Sequence, residues 1–130
     1  MAVISLLEYH NYLEKLLRQN VTDRVISHCQ HILQVYPRNG ETYRLFGRAL
    51  AASGQWEQAA DVLRRVLAVY PDDFTVHEAL AEVYERLNQP DRAIWHLERA
   101  LEVQPNNAEL LNALRRLYRD HRDVDLGKIP

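Results

Sequence analysis

Histidine and cysteine side chains are the first candidates for chemistry in this chain of 130 residues. His28, Cys29 and His31 lie close together, and two histidines three positions apart can share one face of a helix. A closed zinc site needs four ligands, however, and Cys29 falls on the apolar stripe of its segment while the two histidines look outward. The spacing therefore predicts surface histidines beside a buried thiol, and no metal site.

The acidic residues do not indicate catalysis either. Glu78 and Glu82 lie one helical turn apart, which a solvated helix face explains better than acid–base chemistry. His77 lies on the apolar stripe of the same segment, so we expect it to be a packed residue and not a base. The sequence contains no glycine-rich phosphate loop and no nucleophile elbow. It predicts a protein that is not an enzyme and binds no cofactor.

The composition makes several other classes of function improbable. The 16 basic and 18 acidic residues are mixed along the chain, so no basic stripe suits nucleic acid. The single Cys29 cannot form an internal disulfide, which favours a cytoplasmic location. No apolar run approaches the roughly 18 residues that span a bilayer, so we expect no membrane contact. Glu8 comes early and no basic leader precedes it, which predicts a first helix and not a signal peptide.

Local signals then divide the chain into helices. Pro37, Pro71 and Pro105 lie 34 residues apart, and each follows a segment with helical apolar periodicity. The residues predicted to cap helix N-termini through side-chain oxygens are Ser5, Thr22, Asn39, Asp73 and Asn107. The residues predicted to stop helices are Asn20, Gly54 and Asn88. Pro90 suits the first turn of a helix. These signals predict seven helices, arranged as three pairs and one extra helix.

The period of 34 residues is that of tetratricopeptide repeats, whose pattern is W-x2-L-G-x2-Y, then A-x3-F, then P. The second unit carries Tyr43, Phe46, Gly47, Leu50, Ala59, Leu63 and Pro71 at these positions. The third carries His77, Leu80, Ala81, Tyr84, Ala93, Leu97 and Pro105. The first is looser, with Tyr9, Tyr12, Leu13, Leu16, Val25, Cys29 and Pro37. The chain therefore resembles the tetratricopeptide repeat family up to about Arg122.

The resemblance implies an all-α fold, a right-handed superhelical array of helix-turn-helix units. A repeat domain over residues 1–122 would contain repeats at about 6–39, 40–73 and 74–107 and a capping helix at about 108–121. Residues 123–130 would form a C-terminal tail. Within a pair, small residues should let the helices approach closely, with Gly47 meeting Ala59 and Ala81 meeting Ala93.

The resemblance also implies a protein–protein interaction scaffold that holds a peptide or helix of a partner in a concave groove. In such arrays the first helix of each pair lines the groove. By register, the predicted groove residues are His10, Asn11, Glu14, Arg44, Leu45, Arg48, Glu78, Glu82 and Arg116. Four of these, namely Glu14, Arg48, Glu82 and Arg116, alternate in sign at equivalent places. They could instead pair with one another in an internal ladder.

Trp95 occupies a position where the other units have Ser27 and Asp61, so the position is expected to face water. A tryptophan there could anchor a partner on the convex side, or it could cover the C-terminal tail. A lone exposed aromatic without a function is also common.

The last helix suggests two further hypotheses. Leu111, Leu114 and Tyr118 would normally pack on a following helix, so the tail through Leu126 and Ile129 or a second chain could cover them. Homo-oligomerisation through this helix is therefore an alternative to peptide binding. The chain could also be the interaction domain of a larger protein.

Overall fold

A computed structural model describes residues 4–121, and every regular element in that range is a helix. The helices are α1 (Leu6–Arg18), α2 (Thr22–Val35), α3 (Gly40–Ala52), α4 (Trp56–Val69), α5 (Phe74–Arg86), α6 (Pro90–Val103) and α7 (Ala108–Asp120). The predicted all-α fold of helix-turn-helix units is confirmed. Within the described part of the chain, no helix is long and apolar enough to cross a membrane.

The chain is divided into two compact units, and the boundary falls inside α4, between Leu63 and Arg64. In the N-terminal unit, which we define as residues 1–63, α2 packs on both α1 and α3. In the C-terminal unit, residues 64–130, α6 packs on both α5 and α7. Each unit thus buries the apolar stripe of a central helix between two neighbours.

The odd-numbered helices begin at side-chain caps, as predicted. The cap oxygens of Ser5, Asn39, Asp73 and Asn107 accept hydrogen bonds from the amides of Glu8, Thr42, Val76 and Leu110 at 3.1, 2.8, 3.3 and 3.2 Å. The cap predicted at Thr22 is wrong. Val21 is the N-cap of α2, and its side chain, which has no atom able to accept a hydrogen bond, packs against the core. Packing of the Val21 side chain thus takes the place of a side-chain capping bond at the start of α2.

Three equivalent turns end the first helix of each pair. Asn20, Gly54 and Asn88 stop these helices as predicted, and their φ angles of 61°, 83° and 59° lie in the left-handed region. In each turn the following amide donates to a carbonyl five residues back, as Gln55 N does to Leu50 O at 2.9 Å. This is a Schellman motif, and it satisfies backbone carbonyls that the helix leaves unpaired.

A core cluster of the N-terminal unit consists of seven buried residues: Leu13, Leu16, Val25, Cys29, Ile32, Leu45 and Ala49. A Cβ atom added to Gly47 would lie 2.5 Å from Leu63 Cδ2 and 2.6 Å from Leu63 Cγ. The sequence predicted Ala59 opposite this glycine, but the nearest side chains are those of Leu63 and Val62. Helical side chains lean toward the N-terminus, so Leu63 covers the turn that begins near Ala59.

The C-terminal unit has its own core, built on α5, α6 and α7. Its most deeply buried apolar residues are Val76, Leu80, Val83, Ala93, Ile94, Ala100 and Leu117. Ala81 and Ala93, the small pair predicted at the crossing of α5 and α6, are 4% and 0% exposed. Arg115 holds the corresponding position on α7, where it is exposed and donates to Asn112. A large charged residue is tolerated there because the position faces solvent.

Candidate functional site

The residues predicted to line a groove differ widely in exposure. Asn11 on α1 and Glu78 and Glu82 on α5 are exposed. Glu14, Arg44, Arg48 and Arg116 are partly buried. His10 and Leu45 are buried, with 6% and 0% of their surface exposed.

Leu45 belongs to the core and not to a binding surface. Its side chain packs in the same cluster as Leu13, Leu16 and Ala49. The interpretation of Leu45 as a groove residue therefore does not hold for its side chain. Register assigns a helix face correctly only to within part of a turn, and α3 is covered by helices on more than one side.

His10 is also withdrawn from the surface, because it forms part of a buried hydrogen-bond chain. The Thr42 hydroxyl donates to Asn39 Oδ1 at 2.7 Å, so its oxygen is left to accept from His10 Nε2 at 2.8 Å. The chain joins α1 to the N-terminal cap of α3. Burial lowers the pKa of His10, although the nearby Glu41 carboxylate opposes this shift. His10 thus positions α3 and does not face a partner.

Glu14 and Arg48 form an ion pair between α1 and α3. Arg48 Nη1 donates to Glu14 Oε1, and Nη2 reaches Glu14 Oε2 at 3.3 Å, so the contact is bidentate. On α3 itself, Arg44 Nη1 donates to Glu41 Oε2 at 3.0 Å. The first pair of the predicted charge ladder is therefore present in the N-terminal unit.

In the C-terminal unit, Arg116 pairs with a different acidic residue from the one that was predicted. Arg116 on α7 pairs with Glu85 on α5, through Nη1 to Oε1 and through Nη2 to Oε2 at 3.1 Å, and not with Glu82. The hydrogen bond from Arg116 lowers the pKa of the Glu85 carboxyl. Glu85 lies three residues beyond Glu82 on the same helix, so it takes the role that register had assigned to Glu82.

This ion pair lies in an open cavity of about 750 Å³ in the C-terminal unit. The cavity is lined by Glu82, Glu85, Arg86, Asn88 and Arg116. Two predicted groove residues, Glu82 and Arg116, are thus brought together on one concave surface. Carboxylates and guanidinium groups of both signs offer a partner several charge-assisted hydrogen bonds.

Trp95 is half-buried and lies within a cluster of rings on α5 and α6. Its ring meets that of His96 edge-on at 4.9 Å between centroids, and that of His77 at 6.2 Å. Arg99 lies over the indole, with its guanidinium carbon 5.0 Å from the ring centre. His77 is 3% exposed, as the sequence predicted. The indole therefore has an intramolecular role in this ring cluster.

Sequence reasoning missed His96, which is 7% exposed and stacks on Tyr84 with ring centroids 5.4 Å apart. A signal existed. His96 follows His77 by 19 residues, as His28 follows Tyr9 in the first repeat. His28 was predicted to look outward, but it is half-buried and its Nδ1 bonds to the Tyr9 hydroxyl, so only part of its side chain faces solvent.

His31 is exposed as predicted, and Cys29 is fully buried. Among residues 4–121 no cluster of three or more histidine, cysteine or acidic side chains is arranged to hold a metal ion. The cavity is therefore the best candidate site of the C-terminal unit, and the N-terminal unit has an exposed polar side chain of its own, Asn11 on α1.

The last helix is partly covered by α6. The Tyr118 hydroxyl donates to Glu98 Oε1 at 2.7 Å, and burial together with this bond raises the pKa of Tyr118 to about 12. Leu111 and Leu114 are half-buried. The tail residues that were predicted to cover them, Leu126 and Ile129, lie outside the described residues.

Comparison with known proteins matches the chain to one family. A family model described as "Tetratricopeptide repeat" matches residues 44–108, which is half of the chain. No match was found among curated proteins.

Solved structures show the same fold. A double mutant of MamA RS-1 superposes with a TM-score of 0.80 at 19% identity, over 88% of this chain and 64% of that one. A mutant O-GlcNAc transferase of Thermobaculum terrenum has a TM-score of 0.80 at 26% identity, over 89% and 22% of the two chains. A structure of Naa15/Naa10 bound to HypK-THB has a TM-score of 0.72 at 20% identity, over 88% and 17%. The chain thus spans only part of each of these proteins.

Proposed function

The chain belongs to the tetratricopeptide repeat family, and from that premise we propose that it is a cytoplasmic, non-catalytic scaffold that binds a peptide or helix of a partner protein. The tetratricopeptide repeat fold in general supports protein–protein interaction. One solved relative, Naa15/Naa10, is bound to the protein HypK-THB. The finer proposal concerns where the partner lies on this chain.

The observation that carries the proposal is the open cavity of about 750 Å³ in the C-terminal unit. Glu82 is an exposed residue of its lining, in which Arg116 and Glu85 are held against each other. Because the ion pair fixes the side chains before a partner arrives, binding loses little side-chain entropy. A partner segment with charges of both signs would match this lining.

The N-terminal unit contributes in a different way. Asn11 is exposed and free of the core, whereas Glu14 and Arg48 already satisfy each other. On the basis of exposure, we assign direct recognition to Asn11 in the N-terminal unit and to Glu78 and Glu82 in the C-terminal unit. The bidentate pair keeps α1 and α3 in register and presents a fixed polar surface beside them.

Site-specific photo-crosslinking tests the proposed surface directly. A photoreactive amino acid placed at Asn11 or Glu82 should crosslink to a partner protein in a lysate of the source organism. The matched control places it at Glu102, an equally exposed acidic residue on α6. Mass spectrometry would identify the captured protein, and calorimetry with the purified partner and Glu82→Lys should then show weaker binding.

Crosslinking from Glu102 with none from Asn11 or Glu82 would move the binding surface to the second helices. Unchanged affinity in Glu82→Lys, with the folded state intact by circular dichroism, would remove the cavity from the proposal.

Self-assembly through α7 is a second candidate function. The observation in its favour is that Leu111 and Leu114 are only half-buried and that Tyr118 is 37% exposed. A second copy could cover these apolar groups. Light scattering over a hundredfold range of protein concentration tests it. A mass that stays monomeric at the highest concentration would rule out this function.

A further inference from the structure

Two buried histidines of the C-terminal unit face each other across the contact between α5 and α6. Nδ1 of His77 lies 3.0 Å from Nδ1 of His96. The other ring nitrogen of His77, Nε2, lies 2.7 Å from the backbone oxygen of Pro71 in the loop that joins α4 to α5. A single pair of imidazoles thus connects two helices and a loop.

The partners determine where the protons lie. A carbonyl oxygen can only accept, so Nε2 of His77 must carry a hydrogen and donate it to Pro71. In a neutral His77 ring, Nδ1 is then an acceptor, and His96 must donate from its own Nδ1. The neutral pair therefore consists of an Nε2–H tautomer at His77 and an Nδ1–H tautomer at His96.

One added proton leaves this network intact, and a second does not. With one proton, one ring is a cation and the hydrogen between the two Nδ1 atoms is still shared. With two protons, both Nδ1 atoms, which lie 3.0 Å apart, carry a hydrogen, so neither nitrogen can accept. Two positive charges would also lie side by side with little access to water.

The groups around the pair do not relieve this repulsion. From α5, the Tyr84 ring stacks on His96, and from α6, Arg92 lies over Tyr84 while Arg99 lies over Trp95. In the loop, the Pro71 carbonyl accepts from His77, and the Asp73 carboxylate accepts from the Val76 amide at the start of α5. On α6, Glu98 is engaged by Tyr118 of α7. Burial lowers the pKa of His96 to about 3, and the nearby His77 and Arg92 add to the shift.

We propose that His77 and His96 form an acid-sensitive latch, which joins the α4–α5 loop, α5 and α6 while the pair carries no more than one added proton and releases them when a second proton binds. This device goes beyond the proposed scaffold role and does not depend on it. The unfolded chain takes up a proton on each histidine near pH 6.5, whereas the contact between the two Nδ1 atoms in the folded chain accommodates no more than one. Stability is therefore full above about pH 6.5 and is lost as the pH falls below it.

The other repeats provide matched substitutions at both positions. The first repeat has Tyr9 and His28 at the places of His77 and His96, and the second has Tyr43 and Val62. The Tyr43 hydroxyl donates to the Pro37 oxygen at 2.9 Å, just as His77 bonds to the equivalent Pro71 oxygen. His77→Tyr therefore copies the first repeat, and the double variant His77→Tyr with His96→Val copies the second. Both keep a donor for Pro71.

Urea unfolding of the whole chain between about pH 7.5 and pH 4 tests the latch. One extra proton bound by the unfolded state corresponds to a tenfold change in the unfolding constant per pH unit. Below about pH 6, each drop of one pH unit should raise the unfolding constant of the natural chain by a factor at least about ten times larger than the factor for the double variant. The factor for His77→Tyr should lie between these two. Equal pH dependence in all three proteins would overturn the proposal.

Two measurements on the natural His77–His96 pair keep the proposal testable if the variants do not fold. Nitrogen NMR at pH 7.5 should find hydrogen on Nε2 of His77 and on Nδ1 of His96, and the opposite tautomers would overturn it. In a Trp56→Phe background, acidification should shift Trp95 emission before helix content falls. If the emission changes only together with helix content, the latch does not open before the helices unfold, and the proposal is overturned.

Discussion

At the scale of single residues, burial separates neighbours that sequence register had grouped together. His10 and Asn11 are adjacent in the chain, yet His10 is 6% exposed and bonded to Thr42 while Asn11 faces solvent. Leu45 follows Arg44, and it lies in the core although Arg44 is only partly covered. Consecutive helical residues differ by about 100° around the axis, so a covering helix can bury one and spare the next.

Gly47 gives the sharpest prediction for a single residue. Gly47→Ala gains about 1 kcal/mol of helix propensity but forces Leu63 to move, which costs about 1–3 kcal/mol. We expect a net loss of unfolding free energy, of the order of 1 kcal/mol, measured by urea denaturation. In a Leu63→Ala background the same glycine substitution should become neutral or stabilising. An equal loss in both backgrounds would show that Leu63 is not the obstacle.

The Glu14–Arg48 pair allows structure and recognition to be separated. Arg48→Glu should lower the unfolding free energy by about 1 kcal/mol, because a partly exposed ion pair is replaced by two like charges. The double variant Glu14→Arg with Arg48→Glu, which swaps the two charges, should recover most of the lost unfolding free energy. If the pair only positions the helices, affinity for a captured partner should be the same in the swap as in the natural chain. Weaker binding by the swap would make both residues recognition residues.

At the scale of elements, the two classes of helix begin differently. The odd-numbered helices have oxygen-bearing caps, whereas α2 and α6 begin at Val21 and Gln89 without a side-chain hydrogen bond. Val21 is apolar and packs on the core. The second helices therefore depend on packing and on the preceding Schellman turn to set their first residue.

This difference predicts that replacing an N-cap residue by alanine changes the unfolding free energy unequally in the two classes of helix. Asn107→Ala removes the oxygen that accepts from Leu110 N at 3.2 Å, so the unfolding free energy should fall by about 1 kcal/mol. The matched control, Gln89→Ala at the N-cap of α6, removes no capping bond and should change stability by less than about 0.5 kcal/mol. Equal effects in thermal or urea unfolding would contradict the assignment of caps.

At the scale of the whole molecule, the chain consists of two compact units, each with its own buried core. Cys29 lies in the N-terminal core and Trp95 in the C-terminal ring cluster. These two side chains therefore report separately on the opening of the two units. Arrays of repeats can lose structure in parts, since each repeat contacts only its neighbours.

Alkylation of Cys29 measures the opening of the N-terminal unit. Burial raises the pKa of this thiol from 9.0 to about 12, so its thiolate fraction at pH 8 falls about 10³-fold. Iodoacetamide should label the native chain at least about 10³-fold more slowly than the chain in urea. Cys29→Ala with Ser27→Cys, which places a thiol at an exposed position of α2, should react rapidly in both states. Fast labelling of native Cys29 would mean that this core opens locally.

Most of the fold could be predicted because its signals are local. Asn20, Gly54 and Asn88 end helices in the left-handed region, and Pro90 lies in the first turn of α6, all as their residue types indicate. The candidate site was less predictable. The pairing of Arg116 with Glu85 and not Glu82, and the burial of Leu45, depend on which helices cover α5 and α3.

The sequence by itself thus determined the repeat period, the helices and the family, since caps, stops and apolar periodicity act within a few residues. Only the tertiary structure decided that His10 and Leu45 are packed, that Glu85 takes the place of Glu82, and that His77 meets His96. These outcomes depend on contacts between residues that are far apart in the chain. Side-chain spacing along one helix cannot specify what the neighbouring helix places against it.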